Sequence, residues 1–198
     1  MRIPILAIGH RMLKEKSQEL SADYPELDRL IDNMWETMQN ANGSGLAAPQ
    51  VGVPIRLFIV DSKSTFESLD ESDRATYYQS EDRGIKEAFI NARITKRSEQ
   101  YWEDEEGCLS IPGLSQPVRR PWSITVEYYN SDFIKQTQTF SGTTARIIQH
   151  EYDHVEGILY IDHLKPITKR LIQSRLKRII NGRVETNYPM NFPKGNRS

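Results

Sequence analysis

The sequence predicts a single α+β domain in which small antiparallel β-sheets surround a central helix. Apolar residues recur at helical spacing from Leu27 to Met38, which indicates an amphipathic helix near the N-terminus. Short apolar runs bounded by turn residues, such as 56–61, indicate strands. A second helical pattern late in the chain contains His150-Glu-Tyr-Asp-His154 and supplies the central helix. The 198 residues are enough to bury a sizeable core.

Composition excludes several classes of protein. The 26 basic and 27 acidic residues give a net charge of -1, which does not favour sequence-specific nucleic-acid binding or attachment to a membrane. No apolar run approaches the roughly 20 residues that a membrane span needs, and the N-terminus lacks a signal-peptide pattern. Cys108 is the only cysteine, so an intramolecular disulfide is impossible. We therefore expect a cytoplasmic protein.

The N-terminal third begins with an extended strand or arm and continues into the first helix. Pro25 is suited to the first turn of that helix, with Asp23 or Tyr24 near the cap. After the helix, Gly43 and Gly45 precede small alanines, so that the backbone here can approach a substrate or a neighbouring strand closely. A plain Asn-Gly turn would explain the same residues.

The middle of the chain alternates strands with polar connections. Strand character follows at 56–61 and 87–94, and residues 123–129 and 135–140 are predicted to form a β-hairpin around the turn at 130–132. The Ser-, Asp- and Glu-rich segment 62–83 shows little periodicity, and we interpret it as a mobile surface loop.

The C-terminal third holds the central helix and a final basic helix. Hydroxyls at 141–144 are positioned to cap the central helix, and Gly157 ends it. Pro166 opens the last helix, which runs to about Ile180 with a strongly basic exposed face. We assign residues 1–183 to one catalytic domain and residues 184–198 to a polar, flexible tail.

The sequence His150-Glu151-Tyr-Asp-His154 has the form H-E-x-x-H, which predicts a metal site. Residues four apart on a helix share a face, so both imidazoles can reach one ion. A water on that ion is acidified, and Glu151 is placed to take its proton. A helix with two histidines in purely structural contacts would produce the same pattern.

An open catalytic site needs a third protein ligand. One class of zinc proteases places a histidine after a glycine in this motif, but Tyr160 stands at that position. Glu185 lies in the tail and is a poor ligand candidate. His10, His163 and Cys108 remain. Cys108 has the best surroundings, because it lies beside Gly107 and shortly before the Pro112-Gly113 turn. A lone cysteine is usually a small buried apolar residue, but two imidazoles and a thiolate would leave a fourth position for water.

Three segments together resemble the peptide deformylase family. Gly43-Ser-Gly-Leu-Ala-Ala-Pro-Gln50 resembles the first family motif, 106–110 matches E-G-C-L-S, and 149–154 matches Q-H-E-x-D-H. The similarity extends over nearly the whole chain. Ser44, which stands where the family usually has an apolar residue, and the 62–83 insert depart from the family pattern.

The resemblance implies a hydrolase of protein biosynthesis that removes the formyl group from the formylmethionine of nascent polypeptides and releases formate. It implies roles for eleven residues: metal binding by Cys108, His150 and His154; catalysis by Glu151, Gln50 and the Leu109 N–H; and substrate binding by Gly43, Ser44, Gly45, Gly107 and Ile147. Asp153 is expected to be a structural anchor paired with Arg120 or Arg119.

Ligand chemistry alone favours zinc for a Cys-His-His site, whereas the resemblance implies ferrous iron, with nickel, cobalt or zinc as substitutes. The resemblance also suggests ribosome contact through the last helix. Two alternatives stay open: a metalloendopeptidase, which does not require Cys108, and a closed structural metal site in a ribosome-binding module, which needs His10 or His163 as a fourth ligand.

Overall fold

The computed structural model describes residues 1–193 and has the predicted α+β architecture. Its five α-helices are α1 (Leu27–Asn40), α2 (Ser62–Ser68), α3 (Glu71–Tyr77), α4 (Gly142–Val155) and α5 (Pro166–Ile180). Its nine strands are β1 (Ile5–Leu6), β2 (Gly45–Ala47), β3 (Leu57–Asp61), β4 (Lys86–Arg97), β5 (Tyr101–Cys108), β6 (Ile111–Pro121), β7 (Ser123–Tyr129), β8 (Lys135–Ser141) and β9 (Met190–Asn191). No helix within residues 1–193 is both long and apolar enough to cross a membrane.

The larger sheet is antiparallel and has the strand order β2-β3-β4-β7-β8. Every residue of β3 is buried, which explains its continuous apolar sequence. The predicted hairpin is confirmed: β7 pairs with β8 from Ser123↔Ser141 to Tyr129↔Lys135, and Ile124, Val126 and Tyr128 face the core. Strand β2 lies at one edge of this sheet, and its outer side pairs with no other strand within residues 1–193.

A second sheet consists of the β5–β6 hairpin, which the sequence did not reveal. Its first strand carries the acidic run 103–106, so it lacks the apolar alternation of a typical strand. The pairing shifts register between Glu106 and Cys108, and Cys108 lies opposite Ile111 at the tip. This hairpin therefore presents Cys108 at the end of a strand.

Helices α1 and α4 pack against the larger sheet. Ile31, Met34 and Met38 of α1 are buried, as the apolar pattern predicts. The prediction that Pro25 lies in its first turn was wrong: the helix begins at Leu27, because Glu26 adopts a left-handed conformation with φ 53°. Helix α4 packs on β2 and β3. Ser141 occupies its cap position without a capping hydrogen bond from the side chain, which differs from the prediction.

The prediction of a mobile loop at 62–83 was wrong, because this segment contains α2 and α3. Each of these short helices is capped by an aspartate: Asp61 accepts a hydrogen bond from Ser64 N, and Asp70 accepts one from Asp73 N, both at 2.9 Å. The Ser62 hydroxyl lies 2.9 Å from the Thr144 hydroxyl, which joins α2 to α4. Polar composition concealed this order because the caps are themselves polar.

The chain after Val184, expected as a loose tail, includes β9. This strand pairs in parallel with β1 through Ile5↔Met190 and Leu6↔Asn191. Residues 194–198 of the predicted tail lie outside the described residues. Helix α5 has the predicted bounds, and Ile172 and Ile179 are its buried residues.

Candidate metal centre

Helix α4 presents two imidazoles on one face. His150 and His154 are four residues apart, and their ring centroids lie 5.2 Å from one another. Ala145, Ile148 and Val155 pack elsewhere on the same helix into the core beneath the sheet. The apolar residues thus fix the rotation of α4 and keep the histidine face toward the β5–β6 hairpin.

The structure brings Cys108 to those histidines. Cys108 Sγ lies 3.2 Å from His154 Nε2, and one ligand atom from each of Cys108, His150 and His154 lies within 4.8 Å of the others. His10 Nε2 instead contacts Asn191 O at 3.0 Å, and His163 Nε2 contacts Asp153 Oδ2 at 2.7 Å. The geometry therefore supports three protein ligands and not a closed structural site with His10 or His163.

The electrostatics of the three residues suit a cation. Burial raises the pKa of the Cys108 thiol, but the two neighbouring histidines outweigh burial and lower it to about 5. Burial alone would lower the pKa of His150, whereas Cys108 and Glu106 raise it well above its ordinary value. A thiolate is thus already favoured, and a bound cation would displace the imidazole proton. One thiolate and two imidazoles form a Cys-His-His metal site with an open position.

Glu151 is buried beside the ligands. Burial raises its pKa to about 7, against the opposing effect of His150 and His154. Its Oε2 has no hydrogen-bond partner among the described residues. Gly45 of β2 makes this position possible, because a β-carbon added there would lie 2.5 Å from Glu151 Oε1. The close approach predicted for this glycine-rich segment is therefore an approach to Glu151.

Gln50 is oriented by contacts at both ends of its side-chain amide. Its Oε1 accepts a hydrogen bond from Ala47 N at 2.8 Å, which directs the amide nitrogen toward the metal-binding residues. Gln50 Nε2 lies 3.7 Å from Cys108 Sγ and 3.2 Å from Ser110 Oγ. Leu109 lies between these last two residues. A side-chain N–H donor and the Leu109 backbone thus lie next to the cysteine.

A buried network of charged side chains around Glu106 contacts the metal-binding residue His150. Glu106 accepts hydrogen bonds from Arg120 Nε at 2.6 Å, from Arg120 Nη2 at 2.8 Å and from Arg146 Nη1 at 2.6 Å. Its other contact is His150 Nδ1, at 3.0 Å. Burial would raise the pKa of Glu106, but Arg120 and His150 hold it well below its usual range. The contact to Nδ1 leaves His150 Nε2 as the nitrogen for a metal.

The predicted pair between Asp153 and Arg120 is confirmed, with 2.8 Å between Asp153 Oδ2 and Arg120 Nη1. Sequence reasoning missed the contributions of Glu106 and Arg146. The adjacency of Glu106 to Cys108 was a possible signal, because an acidic residue beside a metal ligand is often a hydrogen-bond partner of another ligand. Arg146, four residues before His150 on α4, shares its helix face and offered a similar signal.

A cleft of about 530 Å³ opens onto Cys108, His150 and Glu151. It lies between the segment before β2 and the acidic edge of β5, and Tyr188 also borders it. All five predicted substrate-binding residues line it: Gly43, Ser44, Gly45, Gly107 and Ile147. Thr65 of α2 lines the cleft as well, and its hydroxyl lies 2.8 Å from that of Ser44. The helical insert thus forms part of the cleft wall.

Comparisons with known proteins point to one family. The model of the polypeptide deformylase family matches residues 3–170. A peptide deformylase of Christiangramia forsetii is 44% identical over 100% of both chains, and one of Flavobacterium johnsoniae is 45% identical over 97% of this chain and 96% of its own. The solved peptide deformylase of Ehrlichia chaffeensis superposes with a TM-score of 0.79 at 28% identity, covering 92% of this chain and 99% of its own.

Removing the Arg120 guanidinium, which both Glu106 and Asp153 contact, should lower the stability of the fold strongly. We expect Arg120→Met to lower the free energy of unfolding by about 3–5 kcal/mol, because Glu106 and Asp153 would lose a buried partner. Chemical denaturation of the metal-free protein measures this change. Arg93→Met is the control, because Arg93 and Glu19 form an exposed pair, with 69% and 53% of their side-chain surfaces accessible. Equal unfolding midpoints for the two variants would contradict this account of the network.

Proposed function

The chain belongs to the polypeptide deformylase family, and we propose that it performs the family's reaction with the residues gathered around Cys108, His150 and His154. As a member of this family it is a metal-dependent hydrolase that removes the N-formyl group of formylmethionyl peptides. The observation that carries the proposed assignment of residues is the convergence of three metal-binding atoms with a buried carboxylate, Glu151.

A divalent ion held by Cys108, His150 and His154 would acidify a water molecule and polarise the formyl carbonyl. Glu151 accepts the proton of the attacking water. Its burial beside His150 and His154, with Oε2 unpaired among the described residues, suits this role, because the carboxylate is placed to take a proton and return it. Glu151 then donates that proton to the departing amine, so that formate and a free amino terminus are the products.

Two hydrogen-bond donors are proposed to stabilise the negative charge that develops on the formyl oxygen. These are the Gln50 side-chain amide and the Leu109 backbone N–H. The contact from Ala47 N to Gln50 Oε1 supports this role, because it prevents the amide from turning its oxygen toward the substrate. Each such donor is worth about 3–4 kcal/mol of transition-state stabilisation in other hydrolases.

The cleft is proposed to bind the peptide as an added strand. Gly43 to Gly45 lie beside the free edge of the larger sheet, and Gly107 faces them from β5, so backbone groups on both sides are available for pairing. The methionine side chain enters the pocket formed by Ile147 and Ser44. The Ser44–Thr65 hydroxyl pair makes one wall of that pocket polar.

Ferrous iron is the proposed native ion, with nickel, cobalt or zinc as substitutes. Family resemblance supports iron, although ligand chemistry alone favours zinc for a Cys-His-His set. The substrate class supports action in the cytoplasm, where new polypeptides carry the formyl group.

Ribosome contact through α5 is also part of the proposal. Between Pro166 and Ile180 this helix carries no acidic residue, and five of its basic side chains are exposed: Lys169, Arg170, Arg175, Lys177 and Arg178. Such a face suits a phosphate backbone, which binds clustered cations with strong salt dependence.

Replacing the proposed base should separate metal binding from catalysis. We expect Glu151→Ala to retain its metal and to lose about 10²–10⁴-fold in the rate of formate release from formyl-Met-Ala, because water would lack a proton acceptor. Elemental analysis and a formate assay on anaerobically purified protein measure the two quantities. Glu103→Ala, an exposed change on β5, is the control. Wild-type turnover by Glu151→Ala would remove Glu151 from this role.

The identity of the metal should determine sensitivity to air. The iron form is expected to lose activity in aerated buffer while a nickel-substituted form keeps it, because ferrous iron promotes oxidation of the adjacent Cys108 thiolate. Activity half-lives of both forms, with anaerobic samples as controls, test this. Equal lifetimes in air would count against iron as the sensitive ion.

Reversing charge on α5 should weaken ribosome binding. We expect Arg175→Glu, Lys177→Glu and Arg178→Glu together to reduce cosedimentation with ribosomes while leaving deformylation of a dipeptide unchanged. The triple change Arg93→Glu, Lys96→Glu and Arg97→Glu on β4 is the matched control, because these residues are also basic and exposed. Equal cosedimentation of the two variants would rule out a specific role for α5.

A further inference from the structure

Tyr188 joins the C-terminal segment to the active-site cleft. It lies beyond residues 3–170, which the family model matches, yet its ring lines the cleft. Its hydroxyl donates a hydrogen bond of 2.9 Å to the carbonyl oxygen of Leu109. A residue outside the matched region thus contacts the residue whose N–H is proposed to hold the developing oxyanion.

The backbone around Tyr188 is held at several points. The Thr186 hydroxyl donates to Tyr188 O at 2.9 Å, and Ile5 N donates to Pro189 O at 2.9 Å. Further along, Ala7 N donates to Asn191 O at 2.8 Å, within the contact between β1 and β9. Tyr188 is therefore positioned by backbone pairing on the core and not by its own side chain alone.

Both sequence neighbours of Leu109 are held in place, and Tyr188 contacts Leu109 itself. Cys108 precedes it at the metal site. Ser110 follows it, fully buried, and Ser110 O accepts a hydrogen bond from Ile8 N at 2.8 Å. Within residues 1–193, the Tyr188 hydroxyl is the protein donor that reaches the Leu109 carbonyl.

We propose that Tyr188 is a positioning residue for the reaction, and that its hydroxyl fixes the backbone of Leu109 so that the Leu109 N–H keeps its direction toward the substrate oxygen. The Leu109 N–H belongs to the peptide plane that joins Cys108 to Leu109, so the contact at the Leu109 carbonyl holds one end of that plane while Cys108 holds the other. A donor contributes to catalysis in proportion to how well it is aimed before the charge develops. This inference rests on the oxyanion role proposed for Leu109.

The space around Leu109 makes its orientation sensitive to this contact. A β-carbon added at Gly43 would lie 2.8 Å from Leu109 Cδ1, so the leucine side chain already fits closely against the segment before β2. Without the Tyr188 hydroxyl, the Leu109 carbonyl would lose its fixed partner while that side chain stayed in place. The Leu109 α-carbon can then shift, which turns the preceding peptide plane and redirects the Leu109 N–H without disrupting the core.

The test is Tyr188→Phe in the full chain, which keeps the ring and removes only the hydroxyl. We expect kcat for formyl-Met-Ala to fall about three- to tenfold, as for loss of one hydrogen bond. KM and metal content should stay at wild-type values, and the unfolding midpoint should fall no further than in the control variant, because each variant loses one hydrogen bond. Tyr78→Phe is the control, since Tyr78 donates an equally long bond of 2.9 Å to Ser62 O away from the metal centre. Its kcat should not change.

Two results would overturn the proposal. One is wild-type kcat in Tyr188→Phe. The other is a fall in activity accompanied by an equal loss of metal, or by a larger fall in the unfolding midpoint than in Tyr78→Phe, which would make the role structural. Failure of the proposed reaction is distinguishable, because it would appear as absent formate release in the wild-type protein itself.

Discussion

The active site depends on the interactions of one buried carboxylate, that of Glu106. It lies on β5, pairs with Arg120 of β6 and Arg146 of α4, and contacts the ring of His150. Cys108 belongs to the same hairpin, so this one carboxylate joins the element that carries the sulfur to the helix that carries the imidazoles. A buried anion is costly unless its cationic partners stay in place. The network therefore holds hairpin and helix in one relative position before any metal binds.

Much of the fold could be predicted because it follows local rules. The apolar spacing of α1, the alternation in β7 and the bounds of α5 each depend on neighbours in the sequence. The same holds for the two histidines, because spacing by four on a helix is a local property. Cys108 could be favoured as the third ligand from its surroundings and from ligand chemistry, but only the family resemblance assigned it, since local sequence does not show that it meets residues more than forty positions later.

Other features could not be predicted because their signals are not local. Glu103 to Glu106 resemble a solvated acidic run until the cations of β6 and α4 are placed beside Glu106. The insert after β3 resembles a loop because its order depends on aspartate caps and on the contact between Ser62 and Thr144. Tyr188 stands in a polar segment, and only the pairing of β9 with β1 brings it to the cleft. In each case the structural role of a polar residue depends on a partner that lies far away in the sequence.

The parallel contact between Ile5–Leu6 and Met190–Asn191 has a consequence for biogenesis. Synthesis proceeds from the N-terminal end, so Ile5 and Leu6 cannot form this pairing until residues 190–191 have been made. Contacts between such distant segments also form slowly, because the loop between them must close first. The fold around the cleft is thus complete only after residues 190–191 have been synthesised and have paired with the N-terminal strand.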